Sequence, residues 1–354
     1  MITSIDKLPP ALAASLGSEE RQYIESIRGR GLPFAVTEHF ASLARPEKDD
    51  PIRRQFIPDP REALPDPFAL DDPLGESRYR AAPRLVHQYP DRALLLAAGF
   101  CAGYCRHCFR RVWLSTAPPL AGAEELRPAL AYLAAHTEIR EVLVSGGDPV
   151  TASNAALCEL FRLLRNARPG LMLRVCTRVP ITEPSRLDGD TIALFAEFRP
   201  LRMAVHINHP RELSAASAAA LAACVIAGIP VHVQTVLLNG INDDAALLAG
   251  LFRDCPDLGL SPYYLFQSDL APGTAHFRVP LRRGLAIYRE LGALISGLGL
   301  PAYAVDLPGG GGKIRLHENA IAGEEDSPSG RVYLLEGPDG KRWKYPADYS
   351  RNTG

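Results

Sequence analysis

From about residue 93 the chain alternates two hydrophobic periods. Short apolar runs rich in aliphatic and β-branched residues are each followed by a polar turn: ALLLAAG (93–99), EVLVSGG (141–147), MLRVCTR (172–178), RMAVHIN (202–208), VHVQTVLL (231–238) and SPYYLFQ (261–267). Longer segments with helical spacing come after them, at 124–136, 154–167, 188–198, 214–227, 243–253 and 281–297. Strands alternating with helices imply right-handed crossovers and a parallel sheet. Six such units, rather than eight, predict an α/β fold built as an open or partial (βα)6 barrel, with a doubly wound sheet as the alternative. In either architecture ligands gather at the carboxyl ends of the strands, so chemistry is expected in the loops that follow them.

Two flanks break this rhythm. Residues 1–85 are rich in Pro, Asp and Arg, with weakly helical pieces near 11–29 and 35–45, and read as an arm draped over something larger. From 301 onward come a glycine run, PGGGGK (308–313), a hairpin pattern at 331–345 with Asp-Gly at its tip, and an unstructured end. The expected division is thus an arm (1–85), a core domain (86–300) and a carboxyl-terminal extension (301–354).

The length of 354 residues and the 47% hydrophobic content suit one large globular domain or two ordinary ones. With 39 basic against 40 acidic residues there is no basic footprint for nucleic acid or an anionic membrane, and a small-molecule partner becomes the default. The amino terminus lacks the features of a secretory signal and no run approaches the roughly 18 apolar residues of a spanning helix, so a cytoplasmic location is expected. Positions 49 to 312 hold no lysine at all, which draws attention to Lys313.

Seven cysteines in such a chain argue for reduced thiols rather than disulfides. Cys158, Cys176, Cys224 and Cys255 are scattered singly, whereas Cys101, Cys105 and Cys108 crowd together immediately after the first strand. No fourth cysteine lies nearby to complete a four-thiolate site. Three thiolates can hold three irons of a 4Fe–4S cluster and leave the fourth open to another ligand. Small core cysteines, or a zinc site completed by His107, are the competing readings.

CxxxCxxC on a loop after the first strand of a βα repeat resembles the radical S-adenosylmethionine superfamily. The resemblance implies that Cys101, Cys105 and Cys108 bind the cluster and that its open iron chelates S-adenosylmethionine, whose reductive cleavage yields a 5′-deoxyadenosyl radical. Gly146, Gly147 and Asp148, ending the second strand, resemble the superfamily's glycine-rich loop at the methionyl amino group. Further strings narrow the likeness: DDPIRRQ (49–55), HQYPDR (87–92), CRHCFRR (105–111), SGGDP (145–149), HINHP (206–210), PYYLFQSDL (262–270) and VDLPGGGGK (305–313). Together they resemble the lysine 2,3-aminomutase family, whose members also use pyridoxal 5′-phosphate (PLP).

By that resemblance Lys313 is the Schiff-base lysine and Arg92 binds the PLP phosphate, while Gln88 stands where a second arginine is usual. Arg110 is positioned like the arginine that forks onto the substrate carboxylate. Asp269 and Asp306 resemble the pair that holds the distal ammonium of lysine, and two carboxylates there would reject glutamate. His107, His206 and Gln234 look like cofactor-lining residues.

The implied reaction moves the amino group of L-lysine from Cα to Cβ, with an electron donor such as flavodoxin or ferredoxin. A homo-oligomer is expected, held without a carboxyl-terminal zinc site because no cysteine follows Cys255. Three alternatives compete. Arginine or another amino acid could be the substrate, and Phe109 points toward the branch that modifies lysine for elongation factor P. A cluster-binding protein without turnover is the third.

Overall fold

The computed structural model describes residues 1–29, 31–114 and 120–347; the expected unstructured end falls largely outside them. Ten strands form one sheet in chain order: β1 (Arg80–Ala82), β2 (Leu85–Tyr89), β3 (Arg92–Ala98), β4 (Glu141–Gly146), β5 (Met172–Thr177), β6 (Leu201–His206), β7 (Val231–Leu237), β8 (Ser261–Gln267), β9 (Ala302–Leu307) and β10 (Gly312–Arg315). Strands β3 to β9 run parallel, and β1, β2 and β10 are antiparallel to their neighbours. The sheet stays open, with β1 and β10 as its edges. This is the partial barrel expected from six βα units, with one difference: AYAVDL (302–307), read as part of the tail, is a seventh parallel strand. Its run is short and hemmed by Pro301 and Pro308, so the local pattern resembles a loop.

Three short helices, α1 (Pro10–Ser15), α2 (Ser18–Ser26) and α3 (Glu38–Ser42), lie in the arm. α4 (Arg111–Leu114) follows the cysteine loop. The crossovers are α5 (Ala123–Ala135), α6 (Asn154–Ala167), the short α7 (Val179–Thr182) with α8 (Gly189–Glu197), α9 (Ala215–Ile226), α10 (Ala245–Asp257) and α11 (Leu281–Leu294). Their capping is local chemistry. Ser153, Asp188, Ser214 and Asp244 each accept a hydrogen bond from a backbone N–H in the first turn of α6, α8, α9 and α10. In α6, Leu157, Leu160, Phe161 and Leu164 repeat at spacings of three and four and are all buried. No helix among the described residues is long and apolar enough to cross a membrane.

The arm is fastened to the barrel. Ile2, Leu12, Phe34 and Phe40 share one hydrophobic cluster with barrel residues such as Val142 and Leu173. Beneath the cysteine loop the buried Glu62 carboxylate accepts from Arg106 Nε (2.8 Å) and Nη2 (2.6 Å) and from Arg111 Nη2 (2.5 Å). Burial would push Glu62 up, but Arg106 and Arg111 outweigh it and hold the carboxyl below its usual range. Removing that carboxylate strands two buried cations. Glu62→Ala is therefore expected to cost about 3–5 kcal/mol of stability, read from denaturant midpoints; a loss under about 1 kcal/mol would show that the arm does not depend on this bridge.

A second sheet, β11 (Ile321–Ser327), β12 (Gly330–Glu336) and β13 (Arg342–Pro346), contains the expected hairpin. It props the functional end of the barrel. Tyr345 Oη donates to Ser268 O (2.9 Å), and the Trp343 ring lies against Gly311.

Candidate active site

The cysteines sit where the end of β3 opens into a loop. Burial, together with Asp148, Cys108 and Cys105, pushes the Cys101 thiol well up; burial and Cys105 push Cys108 up to about 11. Arg178 Nη1 donates to Cys105 Sγ at 2.8 Å. Buried thiols that repel one another's ionisation suit a cationic iron cluster, which stabilises thiolates and reverses the shift.

The SGGD turn packs tightly on the root of the cysteine loop. A Cβ on Gly147 would lie 2.2 Å from Phe100 O, and Gly147 N donates to Ala98 O at 2.6 Å. Gly146 has φ +103°, and its Cβ would lie 2.4 Å from Ala98 O. These glycines thus let β4 press against the root of the cysteine loop. Asp148 Oδ1 accepts from Val150 N (3.1 Å) and Thr177 Oγ1 (2.7 Å); Oδ2 accepts from Arg178 N (2.7 Å) and Val179 N (3.2 Å). Four donors fill the carboxylate's acceptor sites. Through these bonds Asp148 braces β4 to the end of β5.

Beside the cysteines lies a buried polar network that sequence reasoning missed. Gln55 Oε1 accepts from Arg178 Nη2 (2.5 Å) and Asn208 Nδ2 (3.0 Å), and Gln55 Nε2 donates to Glu212 Oε1 (2.7 Å). Asn208 Nδ2 also lies 3.2 Å from His107 Nε2. Gln55 closes DDPIRRQ and Asn208 lies within HINHP, so the motifs held the signal without showing the partners. Burial, then Arg178 and His206, drive His107 well below its usual range. Its Nδ1 is buried with no hydrogen-bond partner among the described residues, which suits contact with a cofactor such as S-adenosylmethionine. His206, held down to about 3 by burial and Arg178, pairs in register with Gln234 on β7, so the two expected lining residues are neighbours.

Lys313 owes its place to a hairpin. Antiparallel pairing of β9 and β10 puts Lys313 opposite Asp306, and Nζ bonds Asp306 Oδ2 at 2.5 Å. The connecting glycines are required: Gly309, Gly310 and Gly312 have positive φ, and a Cβ on Gly311 would lie 2.6 Å from both Leu307 and the Trp343 ring. Lys313 Nζ lies over the Phe266 ring at 4.0 Å, and its backbone N donates to Tyr89 Oη at 2.9 Å. Arg92 stacks on the same tyrosine at 3.8 Å and pairs with Asp91 at 2.9 Å. Tyr89, unassigned from sequence, therefore joins the expected Schiff-base lysine to the expected phosphate arginine, a set that suits PLP. Gln88 Nε2 donates to Gly310 O at 3.3 Å and so tethers the hairpin.

Of the three expected substrate residues, Asp269 feels both Asp306 and Arg110 electrostatically. Burial, with Asp306 next, pushes Asp269 up to about 8, while Lys313 and Arg110 pull it down. The end-on face of Arg110 is taken: both terminal nitrogens bond Glu76, Nη2 to Oε1 at 2.6 Å. The remaining cysteines, Cys158, Cys176, Cys224 and Cys255, are free thiols, and Cys176 on β5 interacts electrostatically with Arg110 and Asp148.

No family model matches the chain. A Treponema pallidum relative is 43% identical over 322 residues, covering 88% of this chain and 90% of its own. The L-lysine 2,3-aminomutase of Clostridium subterminale is 33% identical, covering 90% of this chain and 76% of its own. The glutamate 2,3-aminomutase of Clostridioides difficile is also 33% identical, covering 89% and 74%. Among solved structures, a radical SAM methyltransferase from Sphaerobacter thermophilus aligns with a TM-score of 0.48 and 20% identity over 62% of this chain and 68% of its own. With named aminomutases matched over most of their length, the chain belongs to the lysine 2,3-aminomutase family of isomerases.

Proposed function

We propose that this enzyme converts L-lysine to β-lysine, using a 4Fe–4S cluster on Cys101, Cys105 and Cys108, S-adenosylmethionine, and PLP on Lys313. When bound, the cluster with S-adenosylmethionine supplies a radical able to remove hydrogen, and PLP supplies the carbonyl that takes the substrate amine. The chain's own residues bind and orient. Arg110 reads the α-carboxylate, Asp269 and Asp306 hold the distal ammonium, and Arg92 neutralises the phosphate. An electron donor of the flavodoxin or ferredoxin kind delivers the reducing electron.

The observation that carries the substrate choice is Asp269 beside Asp306. Burial, with the charge of Asp306 next, disfavours the ionised form of Asp269, and a substrate cation would offset both effects. A glutamate side chain would bring a third negative charge. In a competition among L-lysine, L-arginine and L-glutamate, lysine is expected to be the favoured substrate; preference for glutamate would overturn the reading.

The same shift fixes a pH dependence. A carboxyl raised to about 8 carries a proton below that pH and must release it before holding an ammonium. The affinity ratio of L-lysine to norleucine, which lacks the distal ammonium, is thus expected to fall as the pH is lowered from 8 to 6. Loss of the α-amino proton affects both ligands alike and cancels. A flat ratio from pH 6 to 8 would separate Asp269 from ammonium binding.

A further inference from the structure

The segment from Asp72 to Tyr79, the last of the arm before β1, touches both ends of the candidate site. Asp72 holds it in shape, its carboxylate accepting from Glu76 N and Ser77 N, each at 2.9 Å. Gly75, at φ +62°, comes so close to the glycine hairpin that a Cβ there would lie 2.5 Å from Gly309 C. Pro73 O accepts from Gly309 N (2.9 Å), Arg78 Nη1 donates to Gly309 O (2.6 Å), and Tyr79 Oη donates to Gly310 O (2.8 Å). The backbone that leads into Lys313 is thereby clasped from one side.

From this clasp Glu76 reaches across to Arg110. The contact is end-on, one carboxylate oxygen on each terminal nitrogen, and the two side chains are 10% and 17% exposed. A guanidinium has five N–H groups, and an end-on bridge uses two of them. The side-on pair, Nε with the outer hydrogen of a terminal nitrogen, makes no hydrogen bond among the described residues and matches the spacing of a second carboxylate. Glu76 also keeps the arginine from turning to its other acidic neighbour: Arg110 acts on Asp269 electrostatically, and an unanchored guanidinium there would cancel the carboxylate meant for the distal cation.

We propose that Glu76 is the positioning residue for Arg110, presenting its side-on face to the substrate α-carboxylate and tying carboxylate recognition to the hairpin that carries Lys313. The proposal rests on the reading of Arg110 as the carboxylate ligand. It gives the acidic arm segment a specificity role: Glu76 keeps the cation that reads one end of the substrate apart from the carboxylates that read the other.

The test compares L-lysine with L-lysinamide, whose carboxamide carries no charge, by titrating each into the PLP-loaded, cluster-bearing protein and following the absorbance change of the bound PLP. Glu76→Gln is expected to weaken L-lysine about 10- to 100-fold and to change L-lysinamide by no more than about twofold. Both ligands are read in one preparation, so a partly unfolded sample changes stoichiometry and leaves the ratio intact. Should Glu76→Gln fail to fold, Glu76→Asp is read the same way, with a smaller loss in the same direction. Arg110→Ala separates the two layers. If it leaves the lysine-to-lysinamide ratio unchanged, the role of Arg110 itself is wrong. If it collapses that ratio while the Glu76 variant leaves it unchanged, or weakens both ligands equally, the inference about Glu76 is overturned.

Discussion

Lys313→Arg is expected to give a folded, cluster-bearing protein to which PLP no longer becomes covalently attached, with turnover reduced at least about 10³-fold. The fold should survive because an arginine keeps a cation opposite Asp306 across the β9–β10 pairing and leaves the four glycines of the hairpin untouched. The chemistry should not, because a guanidinium stays protonated and cannot attack an aldehyde. Borohydride reduction followed by mass spectrometry reads the outcome directly. The unaltered chain should carry PLP on Lys313, and covalent PLP at a similar level in the variant would mean that another residue takes the cofactor.

Cys105→Ser should have an effect as large through a different link. It removes one of three thiolates, at the position where Arg178 lies 2.8 Å from sulfur and where the buried network through Gln55 and Asn208 begins. Two remaining thiolates cannot hold three irons, so iron and sulfide content should collapse and reductive cleavage of S-adenosylmethionine should cease. PLP attachment to Lys313 should persist, because the hairpin is built from β9, β10 and the second sheet. Retention of the cluster in Cys105→Ser would remove this loop as its site, whereas simultaneous loss of iron and PLP would show that the two halves do not fold independently.

Much of the site was legible in the chain because it depends on local spacing. The offsets of four and three that group the thiols, the glycine run before Lys313 and the strand-end positions of Asp269 and His206 are short-range features that survive folding unchanged. What stayed hidden depends on distant partners. Asp148 after two glycines reads as an open ligand, and only the β4–β5 pairing, which delivers the N–H groups of Arg178 and Val179, fills its oxygens. Glu76 sits in a Pro- and Asp-rich stretch that reads only as a draped arm, and its partner lies 34 residues away. HQYPDR alone gives Tyr89 no role; the β9–β10 hairpin brings the Lys313 backbone onto its hydroxyl. The seventh strand was missed for the opposite reason: a six-residue run between two prolines carries too little local signal to outweigh them.

The central claim is that Asp269 and Asp306 on one side, and Arg110 on the other, hold lysine while its amino group moves. One anaerobic incubation tests it most directly: the enzyme reconstituted with iron, sulfide and PLP, supplied with S-adenosylmethionine, dithionite and L-lysine, and its products separated by mass spectrometry. The account predicts β-lysine formed over many turnovers. Formation of 5′-deoxyadenosine with no β-amino acid from L-lysine would contradict it.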